Sequence, residues 1–142
     1  METGGFPHLL KVATVITIHK GESKMIAANY RPISLLPIFG KMYEKIIFSR
    51  LISFVDKYQI LFNRQYGFQK EKSTEYALID IVDNIMNSLE QKESPCCVFL
   101  DFAKAFDTVN HKILLGKLHH YGIRGTALSL IESYLTDRQQ CV

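Results

Sequence analysis

The sequence has little cysteine and no long apolar run. Its three cysteines, Cys96, Cys97 and Cys141, are too few for a disulfide framework, and no second ligand pair follows the adjacent two to complete a zinc site. We therefore expect no disulfides and a reducing intracellular compartment, with nucleus or cytoplasm left open. No apolar stretch reaches the roughly 18–20 residues of a bilayer span, so no membrane partner is expected. Residues 1–10 lack a basic region before an apolar run, which argues against a secretory signal peptide.

What the 142 residues do contain is a globular composition with an uneven charge. Hydrophobic residues make up 47% and charged residues 22%, which excludes wholesale disorder and a collagen-like fibre. Residues 1–72 hold 11 Lys+Arg against 5 Asp+Glu, a net charge of +6, and residues 73–142 hold 6 against 9, a net charge of −3. A basic half can attract a polyanion and an acidic half can hold a metal ion, although scattered solvated charges would give the same counts.

The order of periodicities predicts an α+β fold. Residues 11–18 and 29–36 are predicted to form an antiparallel hairpin with a basic tip, in which Pro32 restricts ladder bonds to one side. Pro37 is predicted to begin a helix, because its missing N–H costs nothing there, and the apolar period then becomes 3.6. The predicted elements are an unstructured end at residues 1–9, helices near 38–58 and 74–91, a buried strand at 96–102, helices at 110–121 and 125–137, and a β-like segment starting at 139.

Asp101 is the residue that most needs a chemical explanation. It stands at the end of the apolar run CCVFLDF, where a carboxylate is costly unless it is paired, protonated or bound to a metal. The alternative is that Asp101 lies at the solvent-exposed end of the strand and caps a turn there. In FLDFAKAFDTVNH, Asp101 and Asp107 flank a tight turn that would point a carboxylate and several backbone N–H groups at one small volume. Such a turn can cradle a divalent cation and a triphosphate, with Phe106 as a flat wall.

Four ordered segments make the sequence resemble the reverse transcriptases of non-LTR (LINE-like, jockey-type) retrotransposons. They are NYRPISLLPIFGKMYEKII, QYGFQKEKSTEYAL, FLDFAKAFDTVNHKILLGKL and YGIRGTALSLIESYL, which stand in the family's order and at its spacings from about Leu10 onward. The resemblance implies a right-hand polymerase fold, with fingers over about 10–94 and a first palm segment over about 95–142. It also implies an RNA template, a DNA primer, deoxynucleoside triphosphates and Mg²⁺ or Mn²⁺ in a complete active site.

The resemblance also implies roles for single residues around the turn. Asp101 matches the catalytic aspartate that ligates both metal ions, and the carbonyl of Phe102 would complete the second ion's shell. The backbone N–H groups of Lys104 and Ala105 would face the triphosphate, and Phe106 matches the steric gate against a 2′-hydroxyl. Asp107 is interpreted as structural, bracing the turn.

The basic half carries the other implied contacts. Arg31 matches an arginine that lies against the triphosphate, and Lys20 is a weaker candidate for the neighbouring lysine. Residues Gly67, Phe68, Gln69 and Lys70 match the template-contacting segment, where the glycine would let the backbone approach the strand closely. Without the family, Arg31 reads as a surface arginine, Lys20 as part of a hairpin tip, and Gly67-Phe68 as an ordinary turn.

Some family features are missing, which leaves three functions open. Leu10-Lys11 stands where Trp-Lys is usual, Thr17 replaces a proline, and no aromatic-Ala-Asp-Asp motif occurs in the sequence. The leading hypothesis is a fragment of an RNA-directed DNA polymerase that is inactive alone, since one aspartate cannot hold two metal ions. The alternatives are a non-catalytic nucleic-acid-binding remnant and an inert transposon relic. The oligomeric state is left open.

Overall fold

Helices and a small sheet follow one another through residues 4–21 and 23–142, the part of the chain that this computed structural model describes. A 3-10 helix at His8–Lys11 precedes the first strand. The elements after it are β1 at Val12–His19, a second 3-10 helix at Ala27–Asn29, β2 at Tyr30–Leu35, α1 at Ile38–Lys57, α2 at Thr74–Glu90, α3 at His111–His120, α4 at Gly125–Leu135 and β3 at Gln139–Cys141. The predicted α+β class is confirmed.

The described chain divides into two compact units. Unit 1 takes in the described residues up to Ser53 together with Thr108–Val142, and unit 2 is Phe54–Asp107. Unit 1 therefore holds the sheet, most of α1, and α3 with α4. Unit 2 holds the end of α1, the loop before α2, α2 itself and the segment that contains Asp101.

The sheet of unit 1 has the order β2-β1-β3. Strands β1 and β2 form the predicted hairpin, with Ile18 opposite Arg31 and His19 opposite Tyr30. Strand β3 pairs in parallel with the other edge of β1, from Val12 opposite Gln139 to Thr14 opposite Cys141. A parallel pair needs a long crossover, and here the crossover includes β2 and the α-helices α1 to α4. Local sequence predicts the hairpin, but the parallel partner comes from more than 100 residues away.

Helix starts agree with the sequence prediction because the caps are local. Helix α1 begins directly after Pro37. The Ser73 hydroxyl caps α2 by accepting a hydrogen bond from the N–H of Tyr76. Asn110 caps α3, its Oδ1 accepting from the N–H of Lys112 at 3.0 Å and of Ile113 at 3.2 Å. No helix within the described ranges is both long and apolar enough to cross a membrane.

The core of unit 1 is small and includes a residue from the predicted unstructured end. Among the described residues the buried apolar side chains are Phe6, Ala13, Ile123 and Ile131. The ring of Phe6 makes edge contacts with Tyr134 at 5.0 Å and Tyr43 at 5.8 Å between centroids. Its backbone N–H donates to the Ser133 hydroxyl. Residues 4–7 form neither helix nor strand, but the buried ring of Phe6 holds them against α1 and α4. Residues 1–3 of the predicted unstructured end lie outside the described residues.

Gly4 shows how closely this end approaches α4. Its φ is +65°, and a Cβ there would lie 3.0 Å from the Cβ of Ser129 and 3.1 Å from the carbonyl oxygen of Thr126. A side chain here would be strained by the positive φ and would need its neighbours to move by a few tenths of an ångström, so both conformation and space favour glycine.

The buried strand predicted at residues 96–102 is wrong for this structure. These residues form neither strand nor helix, and the side chains of Val98, Phe99, Leu100 and Phe102 are all exposed. A strand buried on both faces needs a ladder partner and covering layers. The strands of the described chain pair only with one another in the β2-β1-β3 sheet, so this apolar run has no neighbour against which to form.

Candidate active site

The segment with the candidate catalytic acid is an exposed loop in unit 2. Asp101 and Asp107 are both exposed, and residues 103–108 form a turn. Within it the N–H of Asp107 donates to the carbonyl oxygen of Lys104 at 2.9 Å, and Lys104 has a left-handed φ of 53°. The backbone at Asp107 therefore closes the turn.

The turn presents an aromatic ring to a second predicted site segment. The rings of Phe106 and Phe68 make an edge-to-face contact, with centroids 6.0 Å apart and planes at 86°. Both side chains remain more than three-quarters exposed, so their outer faces are open to solvent. Exposed aromatic rings are stacking surfaces for bases and sugars. The structure thus brings together the residue matched to the sugar gate and one matched to the template contact.

The loop with Gly67, Phe68, Gln69 and Lys70 is built around an exposed backbone. A Cβ at Gly67 would meet no atom of the described chain within 4 Å. Phe68 has a left-handed φ of 60°, which turns the chain beside the glycine. The Gln69 side chain lines a hollow of about 280 Å³ together with Asp56, Gln59 and Asn63. Its Nε2 is shielded and finds no protein partner among the described residues.

Contacts that the sequence did not single out hold this loop to α2. Arg64 Nε lies 3.7 Å from a carboxylate oxygen of Asp80. Partial burial and a hydrogen bond to the Asp80 carboxylate raise the pKa of Tyr66 above its usual value. The ammonium of Lys72 lies 5.3 Å from the centre of the Tyr66 ring and donates to the carbonyl oxygen of Asn63. The sequence feature that could have indicated these contacts is the alternation of basic and aromatic residues in 63–72, followed by an acid on the next helix.

The two phosphate-binding candidates lie on the hairpin of unit 1. Arg31 is on β2 opposite Ile18, and the N–H of Lys20 extends the ladder by donating to the carbonyl oxygen of Asn29 at 2.8 Å. Residues two apart on a strand share a face, so the pairing places Lys20 and Arg31 diagonally on one face. Both are exposed. Two exposed cations on one face of a rigid hairpin can bind a polyphosphate.

Neighbouring contacts give the hairpin tip a defined shape. The His19 and Tyr30 rings lie 5.1 Å apart between centroids. The N–H of Gly21 donates to His19 Nδ1 at 3.3 Å, and the Tyr30 hydroxyl donates to the carbonyl oxygen of Lys24 at 3.0 Å. Gly21 has a φ of +96°, a conformation that side-chain-bearing residues rarely adopt.

The acidic residues do not gather into a complete metal site. Over residues 4–21 and 23–142, no group of three or more His, Cys, Asp or Glu side chains is placed to hold an ion. The Asp101 carboxylate and the Phe102 carbonyl are oxygen donors, which is the ligand type that Mg²⁺ prefers. This donor set fits part of a magnesium shell, and further ligands would have to come from water, substrate or other residues.

Comparison with known proteins gives a consistent assignment. Residues 18–141 match the family described as reverse transcriptase (RNA-dependent DNA polymerase). The chain is 33% identical, over 94% of its length, to the probable RNA-directed DNA polymerase from transposon BS of Drosophila melanogaster. It is 37% identical over 82% of its length to the RNA-directed DNA polymerase from mobile element jockey of the same species, and 34% over 96% to the probable polymerase from transposon X-element. It spans 13–15% of the length of these relatives. The predicted resemblance to jockey-type enzymes is thus confirmed, and the chain belongs to the reverse transcriptase family.

Proposed function

We propose that this chain is part of an RNA-directed DNA polymerase of a jockey-type non-LTR retrotransposon. In this proposal, residues of about 10–94 are fingers and residues of about 95–142 begin the palm. The contact between Phe68 and Phe106 carries the proposal, because it joins the segment matched to the template with the turn matched to the incoming sugar. A polymerase must hold these two groups side by side, since the template base pairs with the incoming nucleotide.

The proposed chemistry is in-line attack by a primer 3′-hydroxyl on the α-phosphate of a deoxynucleoside triphosphate. A pair of divalent ions, Mg²⁺ or Mn²⁺, would stabilise the attacking and leaving oxygens. Asp101 and the carbonyl of Phe102 would supply this chain's ligands. The exposure of Asp101 supports this role, because an unburied carboxylate is accessible to an ion and its water shell.

The remaining residues would bind and orient the substrates. Lys20 and Arg31 would neutralise the triphosphate, and the N–H groups of Lys104 and Ala105 would face it. Phe106 would lie under the sugar and exclude a 2′-hydroxyl, while the backbone at Asp107 keeps the turn closed. Gly67, Phe68, Gln69 and Lys70 would contact the RNA template, with the open space beside Gly67 available to its backbone. An intracellular location goes with these substrates and is part of the proposal.

The test places residues 10–142 in a full-length enzyme of the family and measures DNA synthesis on a primed RNA template. Asp101→Asn should abolish incorporation of both deoxynucleotides and ribonucleotides, because it removes a metal ligand. Phe106→Val should keep deoxynucleotide incorporation and raise the relative efficiency of ribonucleotides, because the steric wall is shortened. Asp107→Asn is the matched control, since the contact in the structure uses its backbone N–H. An active Asp101→Asn enzyme would refute the proposal, and an unchanged sugar ratio in active Phe106→Val would reject Phe106 as the gate.

A second function, nucleic-acid binding without catalysis, is favoured by one observation. The hairpin presents two exposed cations on one face, whereas the carboxylates in the described residues form no metal-binding group. Phosphate binding needs only the two exposed cations and no metal-binding group. Salt-dependent RNA binding by a chain that shows no synthesis even within the full-length enzyme would support it. A chain that neither binds RNA nor unfolds cooperatively would instead support an inert relic.

A further inference from the structure

Helix α1 carries an exposed apolar seam between basic residues. Phe39, Met42 and Ile46 recur at spacings of three and four and are about half exposed or more. Lys45 and Arg50 flank them and are exposed. In heptad terms the apolar residues take a, d and a, while Lys45 and Arg50 take the adjoining g and e positions. We call these five residues the basic seam.

Helix α2 carries a seam of the same geometry with the opposite charge. Ile79, Val82, Met86 and Leu89 recur at three, four and three, and each is more than half exposed. In the same register Asp83 and Glu90 occupy e positions and are exposed. The half-buried residues Ala77, Ile81 and Ile85 lie on a different side of α2. We call the six exposed residues the acidic seam.

The basic seam also contains a shaped receptor. Met42, Lys45, Ile46, Ser49 and Arg50 line an open groove of about 580 Å³. These are d, g, a, d and e positions, and consecutive d, g, a and d residues form the hole that receives an apolar knob in coiled-coil packing. A groove of this lining accepts a Val, Met or Leu side chain. It also brings a carboxylate at an e position beside Lys45 if the helices run parallel, or beside Arg50 if they run antiparallel.

Charge determines which helix fits. Residues Thr74–Glu90 include four acids and neither lysine nor arginine, so two acidic seams would repel each other. Two basic seams would also repel each other, because Lys45 and Arg50 of one copy would face the same cations of the other. A basic seam against an acidic seam matches apolar spacing and pairs unlike charges. We propose that the basic seam of one copy of this chain docks on the acidic seam of a second copy.

The experiment uses two complementary double variants of the whole chain. Lys45→Glu/Arg50→Glu makes both seams of a copy acidic, and Asp83→Lys/Glu90→Lys makes both seams basic. We expect the unaltered chain to self-associate in analytical ultracentrifugation, less so at high salt. Each variant alone should associate at least tenfold more weakly. An equimolar mixture should recover association to within about threefold, because unlike seams then meet only between the two different copies.

The mixture also separates docking between copies from effects within one chain. Packing inside a single copy cannot be restored by mixing, since neither variant contains unlike seams. Lys112→Glu/Lys117→Glu and Glu93→Lys/Glu132→Lys change the net charge by the same amounts outside both seams. They are the matched controls and should associate like the unaltered chain, alone and mixed. Circular dichroism and thermal unfolding of every variant test whether the helices are retained.

An unaltered chain that stays monomeric at all concentrations and salts, or a mixture that associates no better than the single variants, would overturn the proposal. The inference is independent of the polymerase proposal, because it requires no nucleic acid and no catalysis.

Discussion

At the scale of single residues, Tyr134 links three parts of unit 1. Its hydroxyl donates to the Glu44 carboxylate on α1, its ring lies 4.5 Å from the Arg138 guanidinium carbon, and it contacts Phe6. Arg138 Nη2 is also 3.9 Å from Glu44. Burial, followed by the hydrogen bond to Glu44, raises the pKa of Tyr134 from 10.0 to about 12.

Tyr134→Phe should therefore destabilise the chain in a pH-dependent way. A hydrogen bond to a charged partner contributes about 1–2 kcal/mol, and Phe keeps the ring. Because the folded-state pKa is raised, this stabilisation is fully present below the unfolded pKa near 10 and is lost as pH rises through about 12. The measurement is urea unfolding of both proteins from pH 8 to 12. Tyr30→Phe, which loses only an exposed hydrogen bond to Lys24, is the control, and a pH-independent difference for Tyr134→Phe would contradict the prediction.

Gly67 allows a structural role to be separated from a binding role. Its would-be Cβ meets no atom of the described chain, so Gly67→Ala should change the free energy of unfolding by less than about 0.5 kcal/mol. If the template backbone approaches this position, the same methyl group should weaken RNA binding several-fold. Binding to a labelled single-stranded RNA and thermal unfolding are measured on the same sample. Gly4→Ala, where space is filled, should show the reverse pattern, and unchanged RNA affinity in Gly67→Ala would exclude close approach there.

At the scale of elements, the hairpin and the loop before α2 are the predicted RNA-binding parts. Arg64 pairs with Asp80, so its reversal would also disturb the loop, and the test therefore uses Arg31 and Lys70. Arg31→Glu/Lys70→Glu should weaken RNA binding and make the slope of log K against log salt shallower by roughly 1–2, as expected for two lost phosphate contacts. Lys112→Glu/Lys117→Glu on α3 reverses as many charges elsewhere. Equal effects of the two double variants would mean that binding is non-specific.

At the scale of the whole molecule, the chain alone should not extend a primer. Two ions about 3.5–4 Å apart need carboxylates from more than one segment, and the described residues bring no such group together. We expect no synthesis on poly(rA)/oligo(dT) with Mg²⁺ or Mn²⁺. Synthesis that disappears with Asp101→Ala would contradict this and would mean that other ligands reach the site.

What local sequence determines in this protein is its hairpin, its helices and its family. The features that specify these elements act within a few residues, so the elements form as predicted. They are the strand periodicity, Pro37 and the helix caps at Ser73 and Asn110. The family follows from the order of four segments, which needs no coordinates. The tertiary structure decided what depends on distant partners. Phe6 orders the first described residues through α1 and α4, β3 adds to β1 across the crossover, and Phe68 meets Phe106. The apolar pattern of residues 96–102 predicts a buried strand, but these residues stay exposed. Apolar side chains favour burial, whereas a strand forms only where a neighbouring strand offers hydrogen-bond partners.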